Sequence, residues 1–234
     1  MAANITAWSY SRWACYQECP RKAMFKFIDK LPEPGSTAMD RGSAMHALTE
    51  ELITGKISGK PEDAAKAEAF RDEFKRVVLP NIKKDATVAK KGKPVAECEW
   101  AFTTQWTPTS WFGRDAWCRI KTDLVFTAKK ELTIVDHKTG KRREEQHQGQ
   151  LSLYALGGFI MYPAVDRINT AIWYLDAGAP NLTSGYDRDE LPDIKNAWLD
   201  KTRPMLTDTV YAPRPGNYCR WCHFRKANGG PCEY

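Results

Sequence analysis

The apolar residues of this chain change their period near residue 95, and that change restricts the fold more than any other feature. Before it, Met45, Leu48 and Leu52 fall at helical spacing between Asp40 and Thr54, with Gly55 where a left-handed C-terminal residue is expected. A second helix is predicted from Pro61 to about Leu79, with Pro61 in its first turn and Ala67, Phe70, Phe74, Val77 and Val78 in one stripe. After it, residues 95–103, 114–127 and 131–138 alternate or run apolar in short stretches rich in β-branched and aromatic residues, with Gly113 and the Lys129–Lys130 pair at the breaks. A helix from about Glu144 to Ile160 follows. Ile168, Thr170, Ile172 and Tyr174 then occupy alternate positions of a fourth strand, and a further helix is expected around Asp189–Met205. This order predicts an α/β fold, a central mixed sheet flanked by helices. A chain of 234 residues suits one domain.

Composition excludes more than it selects. No apolar run approaches the roughly 18 residues of a membrane span, and MAANITAWSYSRWACYQECPRK lacks the order of a secretory signal. The expected location is cytoplasmic, with no membrane partner. Lys and Arg number 35 against 29 Asp and Glu, a net charge of +6. That charge, with nine Trp and nine Tyr, suits an anionic polymer, although many enzymes that never meet nucleic acid carry as much. Seven cysteines in a reducing compartment do not form a disulfide framework, and their odd number leaves metal binding or burial.

The stretch most suggestive of chemistry is Leu132-Thr-Ile-Val-Asp136-His-Lys138-Thr-Gly140. Residues two apart on a strand share a face, so Asp136 and Lys138 project together and His137 points to the other side. Asp123 lies on the strand expected to pair with this one. Two carboxylates on neighbouring strands suit Mg²⁺, which takes one or two carboxylates plus waters and phosphate oxygens. A cation there would polarise a phosphate and activate a water, with Lys138 orienting the nucleophile or offsetting charge on the phosphate oxygens. Asp-x-Lys alone is a weak pattern; a solvated ion pair at a strand end gives the same spacing, and Asp193 and Lys195 repeat it.

Three other sites have both a functional and a bland reading. His46, with Glu50 one turn later, is either a solvent-facing helical histidine or, as neutral imidazole, a third metal ligand. Gln150 and Tyr154 share a helix face, as surface residues or as an amide and a phenol reaching along a nucleic-acid backbone. Glu99, in Glu97-Cys-Glu99-Trp-Ala-Phe, is a candidate acid or an exposed strand position. Basic residues in 1–30, 83–93 and 141–143, Arg142 and Arg143 among them, could track phosphates.

Cys219-Arg-Trp-Cys222, followed by Cys232, supplies three soft ligands for Zn²⁺ or an Fe–S cluster. A fourth must come from His223, awkward beside Cys222, or from Cys19 or Cys15 near the other end of the chain. Cys98 and Cys118 read as small buried hydrophobes.

Taken in order, these segments resemble the RecB-like branch of the PD-(D/E)XK nuclease superfamily. Within it they resemble members with a four-cysteine iron–sulfur cluster, such as the nuclease domain of AddB and CRISPR-associated RecB-like exonucleases. Trp8-Ser-Tyr-Ser11 with Cys19-Pro20-Arg-Lys-Ala-Met-Phe resembles the family's opening segment, and Arg41-Gly42-Ser-Ala-Met-His46 its histidine motif. Gly113 through Asp123-Leu-Val resembles the "G…D" motif, Val135-Asp136-His-Lys138-Thr-Gly the "DxK-T-G" core, and Gln150-Leu-Ser-Leu-Tyr154 the Q-x3-Y motif. Tyr218-Cys219-Arg-Trp-Cys222 with Cys232 resembles the cluster triad, at a longer Cys222–Cys232 interval than is usual.

The resemblance implies a restriction-endonuclease-like core over residues 39–206, with 1–38 and 207–234 joined at the cluster. It implies Mg²⁺ or Mn²⁺ on His46, Asp123, Asp136 and the His137 carbonyl, Lys138 as catalytic lysine, and Glu99 as upstream acid, Glu97 not excluded. Gln150 and Tyr154 would engage DNA, and Cys19, Cys219, Cys222 and Cys232 would hold [4Fe-4S], with Zn²⁺ the alternative. The expected activity is an exonuclease on single-stranded DNA or DNA ends, in recombination, repair or CRISPR adaptation, alone, as a homo-oligomer or with partner proteins. A non-catalytic nucleic-acid-binding protein is the competing reading. A redox protein using the C-x2-C thiols is a third, without the strand–C-x2-C–helix setting it needs.

Overall fold

A computed structural model describes residues 4–57, 61–128 and 131–234; the break expected at Lys129–Lys130 lies outside the described residues. The helices are α1 (Tyr10–Glu18), α2 (Pro20–Phe27), α3 (Thr37–Thr54), α4 (Pro61–Glu73), α5 (Leu79–Lys91), α6 (Glu144–Met161) and α7 (Leu191–Thr207). The strands are β1 (Val95–Phe102), β2 (Pro108–Thr109), β3 (Cys118–Ala128), β4 (Glu131–Lys138), β5 (Arg167–Tyr174) and β6 (Leu182–Asp187). They form one six-stranded sheet in the order β2-β1-β3-β4-β5-β6. Pairing is antiparallel except between β4 and β5, which run parallel with α6 as the crossover.

Helices cover both faces of the sheet, as the pattern of periods requires. On one face α6 and α7 pack with the N-terminal segment through Trp8, Leu153, Leu156, Phe159 and Trp198, with Trp8 and Trp198 stacked at 5.6 Å. On the other, Met45 and Leu48 of α3 and Ile82 and Ala86 of α5 cover Leu124, Phe126, Val135 and Trp173. α6 comes close to the sheet because Gly158 has no side chain there: a Cβ would stand 2.6 Å from Ile134 Cδ1 and 2.8 Å from Ile168 Cδ1.

Two segments depart from expectation. The second helical stretch does not stop near Leu79. A π-helical turn, Phe74–Val78, joins α4 to α5, so the basic run from Lys83 lies on a helix. Pro80 cannot donate to the preceding turn, and the wider π turn absorbs that loss at the start of α5. β3 begins at Cys118, later than expected, and its alternation slips by one residue. Cys118 and Ile120 face α6, whereas Leu124 and Phe126 face α3. Across from the slip on β1, Glu97 takes φ 53°, a left-handed conformation uncommon for a side-chain-bearing residue. The slip places Asp123 where it can meet groups from both layers.

Candidate active site

Asp123 and Asp136 lie on adjacent strands, each next to the last paired positions, Leu124 and Val135. Around them gather side chains from both helical layers. Asp123 Oδ1 is 3.2 Å from His46 Nδ1 on α3, and its Oδ2 accepts the His137 N–H at 2.5 Å. Asp136 Oδ1 accepts from the Tyr154 hydroxyl at 2.5 Å and from Gln150 Nε2 at 3.1 Å, both on α6. Lys138 Nζ forms an ion pair with the buried Asp136 Oδ2 at 2.5 Å.

His137 joins the cluster from the opposite face of β4. Its ring packs against Trp173 and His46, and neither buried ring nitrogen has a hydrogen-bond partner. Among the described residues, one ligand atom from each of His46, Asp123 and His137 forms a group within 4.8 Å of one another. The sequence reading put only the His137 carbonyl at the metal; the structure brings its imidazole.

The charges at this site do not balance in the ordinary way. Burial works against ionisation of Asp123, but His46 and then His137 outweigh it and hold the carboxyl below the usual range. His46 is raised because Asp123 overcomes the effect of burial. Burial lowers His137 to about 4, so its imidazole is neutral at pH 7. For Asp136, burial raises the pKa, Lys138 opposes this, and the charge of Asp123 raises it further. Two buried carboxylates and the unpartnered imidazole nitrogens of His137 are donors a divalent cation can use.

Several expected site residues sit elsewhere. Glu99 is on the outer part of β1, 43% exposed and 3.9 Å from Lys121. Glu97 contacts Lys121 more closely, and its carboxyl, raised first by burial, also responds to Asp123 and Glu50. The β1 acid nearest the cluster is therefore Glu97, and Glu50, buried one turn beyond His46, completes that side. Tyr154 is 2% exposed and its hydroxyl is bonded to Asp136 and Gln150, so it buttresses a carboxylate. Arg142 is also engaged, bonded to the Gly178 carbonyl and seated 4.8 Å from the Tyr174 ring. Arg143 is exposed at the start of α6.

Away from these residues, Cys19, Cys219, Cys222 and Cys232 line one small cavity of about 20 Å³. Cys19 Sγ accepts the Arg214 N–H and Cys219 Sγ the Gly216 N–H, each at 3.4 Å. Such amide-to-sulfur bonds favour thiolates at a metal. The long Cys222–Cys232 interval closes because the chain turns at Gly229, φ 79°, and Cys232 N–H returns to the Phe224 carbonyl at 2.8 Å. Cys15 packs against the core instead, burial raising its thiol to about 11, and Cys118 is fully buried as expected.

A mixed sheet sandwiched by helices, with an acid–lysine strand end facing a histidine from the neighbouring layer, defines a nuclease-type α/β protein. The chain belongs to the PD-(D/E)XK nuclease superfamily, whose family model matches residues 7–227. Nucleic acid is thus its substrate class and a divalent metal its cofactor class. No curated protein matches this sequence. Among solved structures, the chain is similar to a protein named "putative exonuclease" from Eubacterium rectale, at 14% identity and a TM-score of 0.54, covering 94% of this chain and 88% of that one. It is also similar to SSO0001, at 13% identity and a TM-score of 0.42, covering 96% and 86%. Among the described residues, no helix is long and apolar enough to cross a membrane.

Proposed function

We propose that this protein is a metal-dependent deoxyribonuclease of the RecB-like branch, acting as an exonuclease on single-stranded DNA or DNA ends. The observation that carries the reading is that His46, Asp123 and His137 offer ligand atoms within 4.8 Å of one another, beside an Asp136 that is paired with Lys138 and feels the charge of Asp123. The exonuclease part is supported by the name of the Eubacterium rectale neighbour; recombination, repair or CRISPR adaptation as its setting rests on the sequence resemblance.

His46, Asp123 and Asp136 would hold the ion, with the His137 imidazole beside them. Two imidazoles among carboxylates suit Mn²⁺ better than Mg²⁺, which prefers oxygen alone. Such an ion supplies polarisation of the phosphodiester and activation of a water. Tyr154 and Gln150 hold Asp136 Oδ1, fixing the carboxylate's orientation while Oδ2 faces Lys138. Lys138 orients the attacking water or offsets charge that grows on the phosphate oxygens.

Cys19, Cys219, Cys222 and Cys232 would hold a [4Fe-4S] cluster that ties residues 1–38 to 207–234. The reading is supported by the four thiols lining one cavity and by the sequence resemblance. Iron and acid-labile sulfide after anaerobic purification test it, and stoichiometric zinc without sulfide would replace it. For the activity, Asp136→Ala and Lys138→Ala are expected to abolish Mn²⁺- or Mg²⁺-dependent degradation of end-labelled DNA while leaving the fold intact. Full cleavage by either variant would remove the catalytic assignment.

A further inference from the structure

Next to the catalytic cluster, on the α6 face of the sheet, lies a cavity of about 300 Å³ that no step of the cleavage reaction uses. Its size is within the range of pockets that take small ligands. Gln150 and Tyr154 form its inner wall, so it opens beside Asp136. Trp8 builds its outer side: by pairing with Cys118 it sets the start of α1 alongside Arg119.

Of the cations that line the cavity, Lys121 is paired with Glu97 and Glu99, and the two arginines are not so matched. Arg12 and Arg119 both line it, and among the described residues neither forms an ion pair with a carboxylate. Arg12 Nη1 donates to the Ala7 carbonyl at 2.7 Å, and Arg119 Nε to the Trp111 carbonyl at 2.8 Å, which leaves other N–H groups of each guanidinium available. Burial, and then the charge of Arg119, push Arg12 below its ordinary range, so the two cations stand close enough to repel. Ser9 Oγ and Ser11 Oγ, 3.0 Å apart, add hydroxyls at the same wall. Trp111 lies under the Arg119 guanidinium, and Phe112 beside it is 87% exposed. Paired cations, hydroxyls and an aromatic shelf match a phosphate followed by a base.

We infer that this cavity binds a non-scissile phosphate of the single-stranded DNA substrate, held by Arg12 and Arg119, with an adjoining base stacked on Trp111 or Phe112. The inference rests on the nuclease reading for its choice of ligand. It adds a strand-holding subsite on the N-terminal side of the sheet, distinct from the basic run at 141–143.

The test needs neither metal nor turnover. A fluorescently labelled single-stranded oligonucleotide is titrated with the full-length protein in EDTA, at several salt concentrations. Arg119→Gln is expected to weaken binding roughly tenfold, and Arg12→Gln with Arg119→Gln to flatten the salt dependence by about 1.4 in log–log slope. Arg119→Lys should retain most of the slope, because it keeps the charge. Arg12 also holds the Ala7 carbonyl and faces Phe27, so if the double variant melts early the single Arg119→Gln decides. Oligonucleotides with and without a 5′-phosphate identify the source: a deficit confined to phosphorylated ends supports a terminal phosphate, an equal deficit an internal one. Unchanged affinity and slope in folded Arg119→Gln would overturn the inference, as would an equal loss of slope in Arg119→Lys. A wild-type protein that binds through these arginines yet degrades no DNA with Mn²⁺ would sink the nuclease reading and leave the subsite standing.

Discussion

Arg41 holds Asp176 by two parallel hydrogen bonds, Nη1 to Oδ2 at 3.0 Å and Nη2 to Oδ1 at 2.7 Å. Asp176 Oδ2 also accepts the Gly140 N–H at 2.5 Å, and Arg41 Nε reaches Glu73 at 2.7 Å. The pair therefore clamps three parts of the candidate site: α3 with His46, the turn after Lys138, and the end of β5. Only a planar guanidinium makes this two-pronged contact.

Arg41→Ala should cost about 1–3 kcal/mol of stability and lower kcat for DNA cleavage, because the turn after Lys138 loses its anchor. Arg41→Lys should recover part of the stability and little of the rate. Urea unfolding combined with steady-state cleavage measures both. Wild-type turnover in Arg41→Ala would show that the turn holds its place unaided.

Tyr154→Phe removes one of two hydrogen bonds to Asp136 Oδ1. Loss of a partner that orients a metal ligand typically costs about 10–100-fold in affinity, and calorimetric titration with Mn²⁺ should find a drop of that size. Undiminished affinity would mean that Asp136 needs no such support.

Glu97 and Glu99 make opposite predictions. Glu97→Gln should raise the Mn²⁺ concentration for half-maximal cleavage about tenfold, and Glu99→Gln should leave it near wild type. The reverse ranking would return the upstream-acid role to Glu99.

Gly230 packs directly on the backbone of Phe224, where a Cβ would lie 2.3 Å from its carbonyl carbon and oxygen. Gly230→Ala must therefore push the returning chain, and Cys232 with it, out of the cysteine cavity. Metal content and melting temperature should fall together, as they should in Cys232→Ser. Full metal loading in Gly230→Ala would show that the loop adapts.

Asp208 accepts the Val210 and Tyr211 amides at 2.8 and 2.9 Å and the Tyr16 hydroxyl at 2.8 Å. Burial raises its pKa, but those donors prevail and the carboxyl lies below its ordinary value. A depressed folded pKa contributes stability above the unfolded value of about 3.9, lost as pH falls through the folded one. Asp208→Asn should thus narrow its stability gap to wild type on acidification below that value. Denaturant midpoints measured from neutral pH to about pH 3 would show the convergence, and a constant gap would refute it.

Most of the sheet was legible because its strands alternate clearly: β4, β5 and α6 begin and end within a few residues of where the period places them. α1 and α2 carry short, mixed aromatic and basic faces whose burial depends on Trp198 and Tyr211 far along the chain. β6 was missed because Leu182–Asp187 has few large apolar side chains and takes its form as an antiparallel edge against β5.

In the candidate site, Asp136 and Lys138 were readable as neighbours because strand geometry alone puts residues two apart on one face. The same rule sent His137 to the opposite face, where it met His46, an outcome no local pattern contains. Glu50, four residues after His46, had the helical spacing that could have announced it.

Local sequence determined what is periodic or contiguous: helix and strand identity, the shared face of Asp136 and Lys138, and the close pair Cys219 and Cys222. Only tertiary structure decided which distant groups meet. His46 reaches Asp123 across 77 positions, and Cys19 reaches the tail thiols through the packing of α1 and α2 on the core. Glu97 came nearer than Glu99 through a positive φ and a slipped alternation. Each of these follows from how layers cross and where a strand twists, and those are settled by packing the whole chain at once.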